Sequence, residues 1–355
     1  MTKRHAGAAL VLAAALTAVA FVVYRWRTTG FAWKEFLATV QSVDGAWLAA
    51  SIALILATYL GRALRWQVML YPLAPRARLR WVLASTCIGF TAVVLFGRAG
   101  EPVRPYLISR RAGVTFSSQI AAWVLERILD LLMVLLIFGI ALMQISDSAV
   151  RPGPKVQTFV QAGGAVAGLT GLVCLALLVA LRAFRGSMQT RLVEALAFLP
   201  DRPRARIERF LTAFGEGMQS TRSSWYAFQL VAYSVLEWAL VAGSFYSLFR
   251  AIPVTARLSP IDSIIVLGFV CLGSILQIPG VGGGIQLVTV LVLTEFYGLP
   301  LEAASGVAVL WWVVCFVSIV PIGLALAFHE GVNWRSLRHI VPPDSTVLPT
   351  LNRTA

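Results

Sequence analysis

Charged side chains are scarce in this sequence: Asp, Glu, Lys and Arg make up only 13% of its 355 residues. Soluble domains carry roughly 25%. Hydrophobic residues reach 58%, and the mean hydropathy is +0.79. The apolar runs are continuous over about 20 residues, which excludes the alternating pattern of a membrane β-barrel. The composition therefore excludes a water-soluble fold and predicts an all-α polytopic membrane protein, because helices satisfy their own backbone groups in lipid.

Residue types that hold metals, form disulfides or carry out catalysis are also rare or wrongly spaced. The cysteines lie within apolar runs, so we interpret them as small hydrophobic residues rather than ligands or disulfide partners. The sequence contains no G-x-S-x-G, H-E-x-x-H or P-loop motif. We therefore expect no metal, no cofactor and no enzymatic activity from these residues. The four cysteines are Cys87, Cys174, Cys271 and Cys315.

Acidic residues are outnumbered, since 16 Asp and Glu against 30 Lys and Arg give a formal net charge of +14. The basic residues cluster between apolar segments, a pattern typical of cytoplasmic loops that face anionic lipid head groups. We therefore attribute the charge to membrane orientation and expect no nucleic-acid partner. We expect a multi-pass protein with both termini in the cytoplasm.

Several apolar segments are long enough to cross the hydrocarbon core, which needs about 20 residues. They are 6–24, 46–64, 118–143, 158–181, 225–249 and 302–328. The first resembles a signal peptide, but it exceeds the usual apolar core of roughly 7–15 residues, so we expect an uncleaved span. Two shorter apolar segments, 81–96 and 261–278, end in Gly/Pro motifs, and a third, 285–296, is shorter still.

Charge placement favours a re-entrant path for the broken segments. If 81–96 crossed the membrane, the arginine-rich stretch 182–224 would lie outside, against the positive-inside rule. If it enters and returns, the basic stretches share the cytoplasmic side. Regions 46–143 and 225–328 then form an inverted repeat, whose re-entrant elements 81–96 and 261–297 enter from opposite faces. The alternative is that both broken segments are ordinary spans.

We therefore predict a single integral membrane domain over residues 1–340. Apolar and basic residues recur at helical spacing in 182–224, which predicts an amphipathic cytoplasmic linker on the anionic inner leaflet. A solvated helical hairpin is the alternative for this linker. Residues 341–355 carry three prolines and are expected to form a disordered tail.

The first Gly/Pro motif places charges where the chain should be apolar. Gly97 and Gly100 allow the backbone to bend and to approach a ligand closely. Arg98 and Arg104 supply two guanidiniums, whose planar donor fork matches a phosphate, and Glu101 can orient one of them. We predict a substrate-binding loop, because charges at membrane depth are costly and usually face a cavity. A structural ion cluster at the loop edge is the alternative.

Three further ionisable residues fall inside the span that follows this motif. Glu126 and Asp130 share a helix face, and Arg127 reaches Asp130 at i,i+3. We expect these groups to face the loop rather than lipid. There the two carboxylates can pair with Arg98 and Arg104, so the same network can support the structure and gate the loop.

The second half of the chain offers fewer charges. Glu237, near the middle of its span, is either a partner for an arginine or a proton carrier. The second Gly/Pro motif can form a backbone nest for an anion or a carbonyl group, and close helix packing through small residues is the alternative. This motif contains Pro279, Gly280, Gly282, Gly283, Gly284 and Gln286.

The sequence resembles the lysylphosphatidylglycerol synthetase transmembrane-region family, the flippase-type membrane domain of MprF-like proteins. The resemblance rests on Gly97-Arg98-Ala99-Gly100-Glu101-x-x-Arg104-x-Tyr106-Leu107, followed by Ala122-x-x-x-Glu126-Arg127-x-x-Asp130. The motif Arg62-x-x-Arg65-Trp66 and the Pro-Gly-x-Gly turn that begins at Pro279 also fit. In the family this turn usually ends in a glutamate, whereas this chain has Gln286.

The resemblance implies movement of an amphiphilic lipid between leaflets of the bacterial cytoplasmic (inner) membrane. The expected partners are anionic or phosphate-bearing membrane lipids, with a second copy of the chain or a lipid-synthesis enzyme as the expected protein partner. The chain stops after the membrane region, so we do not expect it to make aminoacyl lipids. The alternative is a membrane-embedded enzyme or accessory subunit in glycolipid or isoprenoid-lipid synthesis, which would bind a lipid phosphate through Arg98, Glu101 and Arg104.

Overall fold

The structure, a computed structural model, describes residues 31–147, 224–273, 277–278 and 282–331, with scattered positions between 164 and 212. Apart from those scattered positions, the predicted spans 6–24 and 158–181 and the linker 182–224 up to its last residue lie outside the described residues. The predicted tail 341–355 also lies outside them.

The described chain is almost entirely helical, which confirms the predicted all-α membrane class. Four helical segments are long and apolar enough to cross a membrane: Gly45–Leu70, Leu79–Gly100, Ser224–Ala251 and Leu301–His329. In chain order the helices are α1 (Trp33–Gln41), α2 (Gly45–Leu70), α3 (Leu79–Phe96), α4 (Val103–Ala112), α5 (Phe116–Asp147), α6 (Ser224–Ala251), α7 (Pro260–Gly273), α8 (Gly284–Glu295), α9 (Leu301–Trp312) and α10 (Ile319–His329). A 3-10 turn (Gly97–Gly100) follows α3, two short strands, β1 (Gln277–Ile278) and β2 (Gly282–Gly283), separate α7 from α8, and a π-helical turn (Val313–Val317) joins α9 to α10.

The helix α2 is longer than the hydropathy of its sequence predicts. It begins where the carboxylate of Asp44 accepts hydrogen bonds from the backbone N–H groups of Ala46 and Trp47, at 2.8 and 3.0 Å, which satisfies donors that a helix start leaves free. It continues to Leu70, beyond the predicted end at residue 64. Arg65 therefore lies inside the helix and not in a loop.

The helices α2 and α6 form an antiparallel pair along the bundle. About two turns from the start of α2, the hydroxyl of Ser51 donates to the carbonyl of Ser244 at 2.7 Å, and the hydroxyl of Ser244 donates back to the carbonyl of Ser51 at 2.8 Å. The backbone N–H of Asp44, before α2, donates to the carbonyl of Ala251, the last residue of α6, at 2.8 Å. We call the end of the bundle at which α2 begins the first end, and the end at which it finishes the second end.

The helices α3 and α4 form a hairpin that starts and finishes at the second end. Gly89, midway along α3, lies directly beside the main chain of Arg104 near the start of α4. Farther along, Ile108 and Ala112 of α4 line a small cavity together with residues from the end of α2, the loop that follows it and the start of α3: Leu70, Ala77, Trp81, Val82 and Ser85. The chain therefore returns to the second end, where α3 begins. This return is the geometry that the re-entrant interpretation of 81–96 requires.

The helices α7 and α8 form a second hairpin, which starts and finishes at the first end. At its base, the hydroxyl of Tyr297, just after α8, donates to a carboxylate oxygen of Asp262 in α7 at 3.2 Å. The rings of Phe269 and Phe296 lie 5.5 Å apart between its arms. At its tip, β1 and β2 pair antiparallel, with Ile278 opposite Gly282. The broken segment predicted at 261–297 is therefore two helices joined by a strand turn.

The segment α9–α10 runs from the first end to the second. Near its start, a carboxylate oxygen of Glu302 accepts from the backbone N–H of Ala32, before α1, at 3.2 Å. At its finish, Glu330 pairs with Arg111 at the end of α4, at 2.5 Å. Between these points, the carbonyl of Ile319 accepts from the hydroxyl of Thr91 in α3, at 3.3 Å, so the inner part of the first hairpin packs inside the bundle.

Two glycines shape the tip of the first hairpin in different ways. Gly97 ends α3 with φ of 62°, a left-handed conformation that side chains other than glycine seldom adopt. Gly100 is buried, and a Cβ at this position would overlap the main chain of Ala92 in α3. The close approach that Gly100 permits is therefore to the neighbouring arm of the hairpin.

Labelling of single cysteines tests whether α3 and α4 return to one side of the membrane. We expect Pro75→Cys and Thr115→Cys, which flank the hairpin at the second end, to react with a membrane-impermeant maleimide on the same side. Val254→Cys, in the loop after α6 at the first end, should react on the opposite side. The background is the chain with its four cysteines replaced by serine. Labelling of positions 75 and 115 on opposite sides would show that α3 is an ordinary span.

Candidate functional site

Two arginines of α2 lie against carboxylates of α5 and α6. Arg62 pairs with Glu237 at 2.7 Å, and Arg65 pairs with the other oxygen of Glu237 at 3.2 Å. Arg65 also reaches Asp130 at 2.7 Å and donates to the hydroxyl of Ser234 at 3.0 Å. The spacing of three residues places both guanidiniums on one face of α2, so one helix face links two neighbouring helices.

The first hairpin joins this network through Glu126 of α5. Arg104 of α4 donates to Glu126 at 2.6 Å, and Arg127 donates to the same carboxylate oxygen at 2.5 Å. Arg65 lies 3.7 Å from that oxygen. Arg127 also pairs with Asp130 at 3.1 Å, three residues along the helix. We refer to these seven residues as the ion network: Arg62, Arg65, Arg104, Glu126, Arg127, Asp130 and Glu237.

The ion network is buried and carries more positive than negative charge. Four guanidiniums face three carboxylates, which leaves a formal excess of one positive charge. The side chains of Arg65, Glu126 and Glu237 have no exposed surface, whereas that of Arg127 is 42% exposed. Charges in a membrane interior are costly and are retained where they pair with one another or serve a substrate pathway.

Eight polar atoms of the ion network, four nitrogens and four oxygens, have no hydrogen-bond partner among the described residues, and four of the eight lie in the ion pairs given above. Buried donors without acceptors cost about 1–3 kcal/mol each, so most are satisfied in native proteins. Of the four atoms that also lie outside those ion pairs, three are nitrogens and one is an oxygen, and three free N–H groups suit an acceptor-rich anion. These atoms are Nε of Arg62, Nε of Arg65, Nη1 of Arg104 and Oε2 of Glu126.

Aromatic rings form the wall of the site beside Arg104. The guanidinium carbon of Arg104 lies 4.0 Å from the ring centroid of Trp66 and 5.2 Å from that of Phe90. The guanidinium carbon of Arg62 lies 4.7 Å from the same Phe90 centroid. Trp66 is held in place because its indole N–H donates to the side-chain oxygen of Gln119 at 2.9 Å. Cation–π contacts of this kind partly offset the burial of a charge.

The structure separates the residues of the first Gly/Pro motif. Arg98 is exposed at the turn, Glu101 is half-buried, and Arg104 is buried one helical turn beyond. The predicted contact between Arg104 and Glu126 is present. Asp130 pairs with Arg127, as the i,i+3 spacing predicts, and also with Arg65. The role of this motif in substrate binding remains a prediction.

The structure adds Arg62 and Arg65 to the predicted site. The sequence shows them as part of a family motif at the end of a predicted span, where basic residues commonly lie at the interface. Two features of the sequence could have indicated their role: their i,i+3 spacing, which places them on one helix face, and the presence of carboxylates in the other predicted spans. Of the two predicted roles for Glu237, partner of an arginine is the one that its contacts describe.

The second Gly/Pro motif lies at the tip of the second hairpin, and the structure describes part of it. Gly282 and Gly283 form β2, and Gly284 begins α8. The side chain of Gln286 accepts a hydrogen bond from the backbone N–H of Gly283 at 2.7 Å, which caps the start of α8. Pro279 and Gly280 lie outside the described residues, and the predicted nest remains a prediction.

Comparison with known proteins finds two similarities. The family model described as "Lysylphosphatidylglycerol synthase TM region" matches residues 8–323 of this chain. A glycosyltransferase, AglD of Haloferax volcanii, is 26% identical over 110 residues. That match covers 31% of this chain and 18% of the relative, so the chain spans only a small part of that protein.

The burial of the two central arginines predicts unequal costs of removing them. Arg65→Ala leaves Asp130 with only Arg127 and Glu237 with only Arg62, and breaking a buried pair in this way costs about 3–5 kcal/mol. Arg127→Ala should lower the free energy of unfolding clearly less, because Arg127 is partly exposed and Glu126 still pairs with Arg104. We expect thermal unfolding of the purified protein to show a much larger loss for Arg65→Ala. Equal losses would contradict a network centred on Arg65.

Proposed function

The chain belongs to the lysylphosphatidylglycerol synthase transmembrane-region family, and we propose that it moves a phosphate-bearing amphiphilic lipid between the leaflets of the bacterial cytoplasmic membrane. In this proposal the protein binds and reorients the lipid and carries out no covalent chemistry. The membrane lipids are its partners, and a second copy of the chain or a lipid-synthesis enzyme is the proposed protein partner.

The observation that carries this proposal is the ion network with its excess positive charge. A lipid phosphate offers several acceptor oxygens, and arginine binds such groups with a planar fork of donors. The free N–H atoms on Arg62, Arg65 and Arg104 are the donors available to it. Exposed apolar side chains on the surrounding helices are suited to the acyl chains, which never leave an apolar environment.

The two hairpins support a mechanism of alternating access. The hairpin α3–α4 enters the bundle from the second end and returns there, whereas the hairpin α7–α8 enters from the first end and returns there. Paired broken helices in two halves of a chain are typical of transporters built as inverted repeats, and we propose that arrangement here for 46–143 and 225–328. The hairpin α3–α4 carries Arg104, so movement of this hairpin would carry a bound phosphate with it.

Charge placement supports an orientation with the second end in the cytoplasm. Among the described residues, five arginines lie at or beside that end, and positive residues mark the cytoplasmic side. They also suit the anionic inner leaflet. These residues are Arg76, Arg78, Arg80, Arg110 and Arg111.

Reconstituted protein tests the proposed activity directly. We expect liposomes that contain the parent protein to move a fluorescent phosphatidylglycerol between leaflets much faster than a fluorescent lipid with an uncharged sugar head group. Arg104→Lys keeps the charge but loses the fork, so we expect the phosphatidylglycerol rate to fall about tenfold, the equivalent of about 1.4 kcal/mol. Arg80→Lys, on an exposed arginine outside the ion network, is the matched control.

Three results would contradict the proposal. The first is equal movement of the charged and uncharged lipids by the parent protein. The second is a parent-like rate for Arg104→Lys when circular dichroism shows both proteins folded alike. The third is a parent protein that moves neither lipid.

A second candidate is a role in glycolipid synthesis, which the similarity to the glycosyltransferase AglD of Haloferax volcanii favours. In this case the ion network would bind a lipid-linked phosphate for a reaction carried out by this chain or by a partner enzyme. The two candidates differ in their products. Movement of unaltered lipid by the purified protein supports translocation, whereas a chemically altered lipid recovered from the same liposomes supports synthesis.

A further inference from the structure

Phe90 occupies an unusual position beside the ion network. It lies on α3, and its ring is within about 5 Å of two guanidinium carbons, those of Arg62 at 4.7 Å and Arg104 at 5.2 Å. Tyr59 packs edge-on against the ring at 5.3 Å. The two like charges repel each other; each is paired with a carboxylate, Arg62 with Glu237 and Arg104 with Glu126, and the ring adds a weak attraction for both.

The two arginines around Phe90 keep donors that the protein does not use. Nε of Arg62 and Nη1 of Arg104 have no hydrogen-bond partner among the described residues. Arg104 is only 4% exposed, so water replaces the missing acceptor poorly. The Phe90 ring attracts both cations weakly, but it does not replace the acceptors that these two N–H groups lack.

We propose that Phe90 closes the phosphate subsite of this protein: its ring covers Arg62 and Arg104 in the empty state, and the phosphate of a lipid head group takes its place. This inference rests on the proposed function, since it names the residues that hold the head group. It also shifts the expected pair of arginines from Arg98 and Arg104 to Arg62 and Arg104.

The surroundings of Phe90 fit such an exchange. Phe90 is half-buried, and the side chain of Arg62 is 15% exposed, so a head group can approach from this side, whereas Arg104 lies deeper. The ring already packs against an apolar cluster that includes Tyr59, Cys87 and Ile319. Rotation of the Phe90 side chain, with the hairpin in place, would uncover the guanidiniums of both Arg62 and Arg104.

Loss of the aromatic ring tests this role. We expect Phe90→Leu and Phe90→Met, each measured in a neutral maltoside detergent, to bind dodecyl phosphate about tenfold more tightly than the parent chain, because the competing ring is gone. The gain should disappear when Phe90→Leu is combined with Arg62→Gln. Phe296→Leu, a half-buried phenylalanine at the first end, is the matched control and should bind like the parent.

The same binding measurement distinguishes a lipid phosphate from free inorganic phosphate as the ligand. We expect inorganic phosphate to compete with dodecyl phosphate only at far higher concentrations, because the subsite is built for a lipid head group. Equal potency of the two would overturn the lipid assignment. Unchanged or weaker binding by both folded Phe90 variants, or a gain that survives Arg62→Gln, would overturn the role of Phe90.

The binding experiment tests the role of Phe90 separately from lipid translocation. If the parent protein moves phosphatidylglycerol but the Phe90 variants bind dodecyl phosphate no more tightly, only the role of Phe90 is wrong. If the variants bind more tightly but the parent moves no lipid, the subsite stands and translocation is wrong.

Discussion

The pairing of Arg62 and Arg65 with carboxylates of neighbouring helices is the interaction on which the arrangement of this protein depends. Breaking a buried ion pair costs about 3–5 kcal/mol, so the helices that carry these charges are held in one relative position. Glu237 ties α6 to α2, and Asp130 ties α5 to α2. Through Arg104 and Glu126, the first hairpin is held by the same network.

This dependence links the scaffold to the proposed activity. The hairpin α3–α4 is held inside the bundle by Arg104, and Arg104 is also one of the arginines with a free donor. A phosphate that binds Arg104 would compete with Glu126 for it, and would thereby loosen the contact that fixes the hairpin. Binding and movement would then be coupled through a single side chain, without a separate signal between distant sites.

The sequence predicted the class of the fold and the broken segments, because apolar runs and Gly/Pro interruptions are properties of the chain itself. The i,i+3 contact of Arg127 with Asp130 was also predictable, since helix geometry fixes it. The central place of Arg65 was not, because hydropathy ended α2 at residue 64 and gave no sign that carboxylates of α5 and α6 lie beside the continuing helix. The role of Gly100 in hairpin packing was likewise not predictable, because the sequence does not show which part of the chain packs against a glycine.

Native mass spectrometry of retained lipids tests the central claim most directly, namely that the ion network selects a phosphate. The purified protein is incubated with equal amounts of a phosphate-bearing lipid and an uncharged lipid that share the same acyl chains, and the bound lipids are counted by mass. We expect the parent chain to retain the phosphate-bearing lipid selectively and Arg62→Gln to lose that selectivity while remaining folded. Equal retention of the two lipids by the parent chain would contradict the account.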